Sequence, residues 1–315
     1  MNTNKTAVIA LGGNAISPKG ELDTIANQFS NTRKSCVAIM NFIKQGYHLA
    51  ITHGNGPQVG NALLRVEMAS DKAPRLPLGI CDADTEGGMG YMIEQSLQNS
   101  LIQAKIDRDV VTIITQIIVD SDDPSIQNPS KYIGGWYTKD EIVRLEKKFN
   151  WQTKEIPGKG WRRVVPSPFP RKIINHKAIK HLVDLGVIVI AAGGGGIPVY
   201  LMENGLYEGF DAVIDKDLAS SVLAGDIGAQ EFFILTDVDQ IAINFGKPNQ
   251  EYIDTIRLND LKALLDEGHF PPGNMGPKIR AAINFIENGG TSVTITSLES
   301  VQKSLDSGKF TRITP

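Results

Sequence analysis

Apolar residues occur in this chain in two rhythms. Short unbroken runs alternate with longer stretches in which apolar positions recur every three or four residues. The first run, Ala7–Leu11, reads as a fully buried strand. Further runs predict strands at 47–53, 110–119, within 186–196, at 231–239 and at 291–297. The helical rhythm covers 24–45, 57–70, 89–105, 175–185, 217–228 and 276–290. Gly46 gives the first of these helices a stop, and Pro57 gives the second a start. Strand and helix in alternation predict an α/β chain with a largely parallel central sheet covered on both faces.

One stretch breaks the rhythm. Residues 121–172 are rich in Pro, Gly, Trp, Lys and Arg and read as an inserted, protruding subdomain. A short helix is expected near 138–149, with strands around 151–155 and 161–165. Long insertions of this kind serve as lids or binding loops, or are plain surface excursions. Arg162 and Arg163 within it either guide anions or form a solvated basic face.

The composition narrows the classes. With 315 residues, 41% hydrophobic and 21% charged, the chain can bury the core of a large α/β protein. A net charge of −3 gives no electrostatic case for nucleic acid or an anionic membrane. Cys36 and Cys81 form no CxxC pattern and no disulfide framework, which fits a reducing compartment. The amino-terminal run carries no signal-peptide cleavage pattern and no apolar stretch reaches membrane-span length, so a cytoplasmic location is expected.

Candidate chemistry lies in glycine. Gly12-Gly13-Asn14, Gly54-Asn55-Gly56 and Gly193–Gly196 follow apparent strands, and the GNMGPK run at 273–278 precedes a helix. Glycine lets main-chain N–H groups approach phosphate oxygens, and a helix N-terminus adds partial positive charge. Open α/β sheets bind ligands at the carboxyl ends of their strands. Glycines also simply turn chains, but four clusters at comparable places are harder to read as turns. Known phosphate motifs do not fit. No Gly-Lys pair is followed by Ser or Thr as a P-loop needs, and GNGPQVG at 54–60 is one residue too long for the dinucleotide fingerprint, although its place between a strand and a helix keeps a dinucleotide oxidoreductase as the least favoured alternative. The protein-kinase HRD and DFG signatures are absent.

Taken in order, ALGGNAI, THGNGPQVG, NPSKYIG, RRVVPSP, AAGGGGIPV, AVIDKDLAS, ILTDVD and GNMGPKI resemble the carbamate kinases of the amino acid kinase superfamily over nearly the whole chain. The resemblance implies a three-layer αβα sandwich and a homodimer. It implies an acceptor lobe over 1–225, carrying the insertion at about 121–172, and a nucleotide lobe over 226–315. The implied reaction is reversible phosphoryl transfer between ATP and carbamate, giving ADP and carbamoyl phosphate, with Mg2+. Flux toward ATP at the end of arginine, purine or allantoin breakdown is the implied setting. Carried over by position, Gly12, Gly13, Asn14, Gly54, Asn55 and Gly56 would line the phosphoryl-transfer centre. Lys131 would reach in from the insertion, Lys216 and Lys278 would contact phosphates, and Asp217 would organise those lysines. Asp237, Asp239, Gly276 and Pro277 would border the nucleotide. No residue is expected to be a dedicated metal ligand.

The chemistry is consistent with such residues. An anionic acceptor must approach an anionic phosphoryl group, and two unit charges 4 Å apart repel by roughly 4 kcal/mol in a site of intermediate dielectric. Positioning and charge stabilisation then carry the reaction. Carbamate is already ionised, so no general base is required. Each residue has a plainer alternative: Lys216 as a surface ion-pair partner, Asp217 as a helix cap, and Asn14 and Asn55 as turn residues. Lys278 opposes the helix dipole, which a bound phosphate would offset. His53 is expected to be structural, and His176 and His181, five apart, point to different helix faces. The run CDADTEGGMGY at 81–91 departs from the SQGMIGY-like pattern of carbamate kinases, with Glu86 in place of Gln. A carboxylate facing an anionic substrate is unfavourable unless paired, so Glu86 is expected not to touch carbamate. Another small-acid kinase of the superfamily, or a weakened homologue that senses nucleotide or carbamoyl phosphate, is the alternative reading.

Overall fold

In the computed structural model, residues 5–18, 22, 24–271, 273, 275–303 and 308–315 are described, Asn14 by its backbone alone. The first apolar run forms β1 (Thr6–Leu11), every residue of it buried. A single 3-10 turn leads to α1 (Ile25–Lys44), whose N-cap Thr24 accepts a hydrogen bond from the Asn27 N–H at 3.2 Å. Gly46, at φ +83°, turns the chain into β2 (His48–His53), followed by α2 (Gly56–Met68) and α3 (Leu78–Ala104). Then come β3 (Val110–Thr112) and β4 (Gln116–Ile118). The insertion supplies β5 (Lys131–Tyr137), α4 (Lys139–Phe149), β6 (Gln152–Ile156) and β7 (Gly160–Val165). The body resumes with β8 (Lys172–Ile173), α5 (His176–Asp184), β9 (Ile188–Ile190), β10 (Ile197–Leu201), β11 (Tyr207–Gly209) and α6 (Lys216–Asp226). The last part holds β12 (Glu231–Thr236), β13 (Ile241–Ile243), β14 (Glu251–Ile253), β15 (Thr255–Arg257), α7 (Leu258–Asp266), α8 (Met275–Glu287), β16 (Ser292–Ser297), α9 (Leu298–Lys303) and β17 (Thr311–Thr314).

The main sheet has the strand order β15-β17-β16-β12-β1-β2-β9-β3, parallel except where β17 meets β16. Residues alternate between its faces. Val8 and Ala10 join a core with α5, α6, α7 and α8, whereas Ala7, Ile9 and Leu11 join one with α1, α3 and α9. This is the expected three-layer αβα arrangement. The chain runs from β1 to β2, β9 and β3 on one side and to β12, β16 and β17 on the other. The carboxyl ends flanking β1 are thus a topological switch point, where such sheets open a crevice.

Three expectations need correction. The run 110–119 is two strands. Thr115 donates its hydroxyl to Ile113 O at 2.7 Å and accepts from the Ala192 N–H at 2.9 Å. These bonds end pairing with β9, and β4 joins a second sheet, β11-β10-β4-β8. The helix expected from 89 begins at Leu78 instead. Its polar first turns look like a loop, yet Asp82, Thr85 and Glu86 are buried. The strand expected over 231–239 stops at Thr236.

The insertion is a three-stranded antiparallel sheet, β5-β7-β6, with α4 beside it. It seats on α2. Gly60 and Gly134 meet backbone to backbone, and a Cβ on Gly60 would collide with Gly134. Glu67 of α2 accepts from Trp151 Nε1 at 2.8 Å and pairs with Arg163 at 2.8 Å. The Arg163 guanidinium lies 4.8 Å from the Trp151 ring, and Arg162 lies between the Tyr132 and Trp136 rings. Both arginines are therefore struts of the subdomain and not a free basic face. Replacing Gly60 with Ala overpacks this seat at a cost of about 1–3 kcal/mol. We expect a lowered melting temperature and faster tryptic cleavage within 131–165. An unchanged melt and digest would show that the close backbone approach is dispensable.

Candidate active site

The glycine clusters after β1, β2 and β9 converge because those strands are neighbours. Gly12 donates its N–H to Leu235 O at 2.9 Å, and a Cβ there would stand 2.8 Å from that oxygen. Gly12 is thus a glycine because β12 passes close by, and its N–H is already engaged. Gly13 lies over the next strand end, its nitrogen 3.7 Å from where a Cβ of Gly54 would stand. Such a Cβ would also sit 3.5 Å from the Lys216 side chain. The side chain expected of Asn14 lies outside the described residues. Asn55 is the N-cap residue of α2 and Gly56 its first residue. Tyr132 O of the insertion stands 3.9 Å from a Cβ position on Gly56, which brings β5 over this corner.

Beside these glycines lies the N-terminus of α6. Asp215 is its cap and accepts from the Asp217 N–H at 3.0 Å. Asp217 is therefore not the cap. Its carboxylate takes a hydrogen bond from Lys216 Nζ on one oxygen and from Lys278 Nζ, at 2.9 Å, on the other. All three side chains are buried. Burial would lift the Asp217 carboxyl, but Lys216 and Lys278 hold it well below the usual range. Burial lowers the Lys216 ammonium despite Asp217. For Lys278 burial is outweighed by the same carboxylate and the value rises. Lys131, at the start of β5, pairs with Asp215 at 2.6 Å. Lys131, Lys216, Asp217 and Lys278 thus gather through Asp215, which the sequence reading missed although DKD at 215–217 carries a cap signature.

A polar floor lies beneath. Asn55 donates through Nδ2 to Asp82 Oδ1 at 3.3 Å and to Thr85 Oγ1 at 3.0 Å. Glu86 accepts from the Thr115 N–H at 3.0 Å and the Gly193 N–H at 2.9 Å. It staples the exit of β3 to the glycine turn after β9. Burial pushes its carboxyl up to about 8 against the pull of those donors. His53 is wholly buried, and burial lowers it to about 4, so it is neutral. That suits the structural role expected of it.

On the other flank, Asp237 and Asp239 follow β12 and are exposed. Asp239 accepts from the Ser297 and Ser300 hydroxyls, and Ser297 in turn caps α9 by accepting from the Ser300 N–H at 3.0 Å. Gly276 donates its N–H to Pro271 O at 2.8 Å, and Pro277 lies in the first turn of α8. Next to them Val238, Ala242, Phe245, Phe270 and Met275 line an apolar cavity of about 100 Å³.

An open-ended α/β sheet with lysines and glycine turns at its switch point defines an anion-handling, phosphoryl-transfer class of site. Comparison with known proteins agrees. The amino acid kinase family model matches residues 5–297. A carbamate kinase of Pyrococcus furiosus is 44% identical over 99% of both chains. A carbamate kinase-like protein of Escherichia coli is 41% identical over 95% of both chains. The solved carbamate kinase of Giardia lamblia bound to AMP-PNP superposes with a TM-score of 0.91 at 41% identity, covering 100% of this chain and 99% of that one. The chain belongs to the amino acid kinase family and, within it, to the carbamate kinases.

The Glu86 carboxyl has a consequence for stability. Its folded value, about 8, lies above its ordinary 4.5, so between those values the unfolded chain holds fewer protons than the folded one. Stability therefore falls as pH rises through that window, by up to about 1.4 kcal/mol per unit. Glu86→Gln should remove this contribution. Melts at pH 5, 6.5 and 8 should show the variant gaining on wild type as pH climbs. Parallel curves would show that Glu86 ionises normally.

Proposed function

We propose that the chain catalyses reversible phosphoryl transfer between ATP and carbamate, giving ADP and carbamoyl phosphate. The observation that carries this reading is the Lys216–Asp217–Lys278 cluster beside Gly13 and Gly54. One carboxylate holds two buried ammonium groups where strand ends and two helix N-termini meet. Fixed cations and main-chain dipoles at such a place offset the repulsion between carbamate and a phosphoryl group. Carbamate attacks as an anion, so the reaction needs no base, and neutral His53 is not asked to be one. Lys131, carried by the insertion, exchanges Asp215 for a phosphate oxygen when substrate arrives.

Residues 1–225 form the acceptor lobe and 226–315 the nucleotide lobe in this proposal. The nucleotide borders Asp237, Asp239, Gly276 and Pro277, with the base against the apolar cavity of Phe245, Phe270 and Met275. Among the described residues no group of three or more His, Cys, Asp or Glu could hold a metal ion. Mg2+ would arrive on the nucleotide phosphates and neutralise part of their charge. A cytoplasmic homodimer working toward ATP in arginine, purine or allantoin breakdown completes the proposal. No helix among the described residues is long and apolar enough to cross a membrane.

The test is ATP formation from ADP, carbamoyl phosphate and Mg2+. Wild type should be active. Lys216→Ala should lose about 10²–10³ in kcat, the scale for one transition-state donor, while circular dichroism stays native. A folded wild type that binds ADP without turnover would overturn the activity. An unimpaired Lys216→Ala would overturn the role of the cluster.

A further inference from the structure

The amide of Asn55 has lost its freedom to donate. Thr85 Oγ1 directs its own hydrogen at helix carbonyls, Cys81 O and Asp82 O, each at 3.0 Å. Having no second hydrogen, it can only accept from Asn55, which fixes nitrogen and not oxygen at that contact. The other Nδ2 hydrogen goes to Asp82 Oδ1. Gly194, at φ +68°, closes over the amide. A Cβ there would stand 2.7 Å from Asn55 Oδ1 and collide with the rest of the group, so only glycine fits. Gly194 is itself placed by the Glu86 bond to Gly193. Among the described residues both hydrogen bonds of the Asn55 amide are made by Nδ2 and none by Oδ1. Asn55 stands between Gly54 and Gly56, at the centre of the glycine corner.

Resting on the carbamate kinase reading above, we infer that Asn55 is the specificity-determining residue that reads the amino group of carbamate and of carbamoyl phosphate through its carbonyl oxygen. An amide that presented hydrogens would suit a carboxylate or a phosphate. An amide that presents only oxygen suits a donor. The N–H of the carbamoyl group is the one donor that a carbamate offers and that an acetate, with methyl in its place, lacks. Lys216, Lys131 and the glycine N–H groups serve the oxygens. Asn55 distinguishes what the oxygens are attached to. Sites built to accept from a substrate N–H reject analogues lacking it because the buried acceptor is left unpaired.

The experiment compares carbamoyl phosphate with acetyl phosphate as phosphoryl donor to ADP in wild type, Asn55→Ala and Thr85→Val. Where acetyl phosphate does not turn over, its Ki against carbamoyl phosphate replaces its kcat/KM. The ratio of the two donors is the readout, since a general loss of stability or of phosphate binding moves both alike. Wild type should favour carbamoyl phosphate. Asn55→Ala should lower that preference roughly five- to ten-fold, the scale of one hydrogen bond. Thr85→Val keeps the shape and removes the acceptor that orients the amide, so it should lower the preference by less, and it carries the test if Asn55→Ala does not fold. An unchanged ratio in a folded variant, with wild type active, would overturn the role of Asn55 alone. A wild type that transfers nothing from carbamoyl phosphate would overturn the activity and this assignment with it.

Discussion

Two buried ammonium groups share one carboxylate, and the site is arranged around that imbalance. Lys216 and Lys278 both reach Asp217, leaving an excess of positive charge in a place from which water is largely excluded. Burying charge is costly unless it is paired, and removing one member of such a set leaves the others uncompensated. The cluster therefore holds its own geometry. It also stays short of neutral, which makes an incoming phosphoryl group the partner that completes it. Asp215 and Lys131 extend the same balance outward to the insertion.

The second constraint is steric. A phosphate can use main-chain N–H groups only where side chains stand clear, and glycines let the chain pack this closely around the site and under the insertion. Gly12 lies against Leu235 O, Gly193 and Gly194 against His53, Glu86 and Asn55, and Gly60 against Gly134. Each glycine permits an approach that a Cβ would block. Glu86 then fixes the glycine turn with two main-chain bonds. This accounts for an acid near an anion site. Burial favours its neutral, protonated form, and its place is held by donors that no substrate has to supply.

Much of the sheet was legible because its strands are buried on both faces. Runs such as Ala7–Leu11 and Glu231–Thr236 have no polar alternation to confuse with a helix, and α1, α5 and α8 are stopped by Gly46, Gly186 and Gly289. The errors fall where polar residues are buried. The stretch 78–88 looks like a loop because Asp82, Thr85 and Glu86 break its apolar rhythm, yet those residues face inward to serve Asn55 and Gly193. The break at Thr115 was hidden for the opposite reason. It sits in a mostly apolar run, and nothing local says that its hydroxyl will turn to Ile113 and Ala192. The strands between 241 and 257 are only three residues long each, and β14 is largely exposed, so their pattern is weak.

By itself the sequence determined the alternation of strand and helix, the placing of glycine clusters at strand ends, the separateness of the insertion and the lysines as carriers of charge. These are local properties, set by apolar period, by missing side chains and by residue type. Tertiary structure alone decided which partners those residues have. Asp217 and Lys278 are 61 positions apart, and Lys131 and Asp215 are 84 apart. Their meeting depends on β1, β2, β9 and β12 lying side by side. The same packing engaged the Gly12 N–H, turned Arg162 and Arg163 into struts and left Asn55 with only its oxygen. Hydrogen-bond direction and buried charge depend on neighbours brought from afar, and a one-dimensional pattern does not contain them.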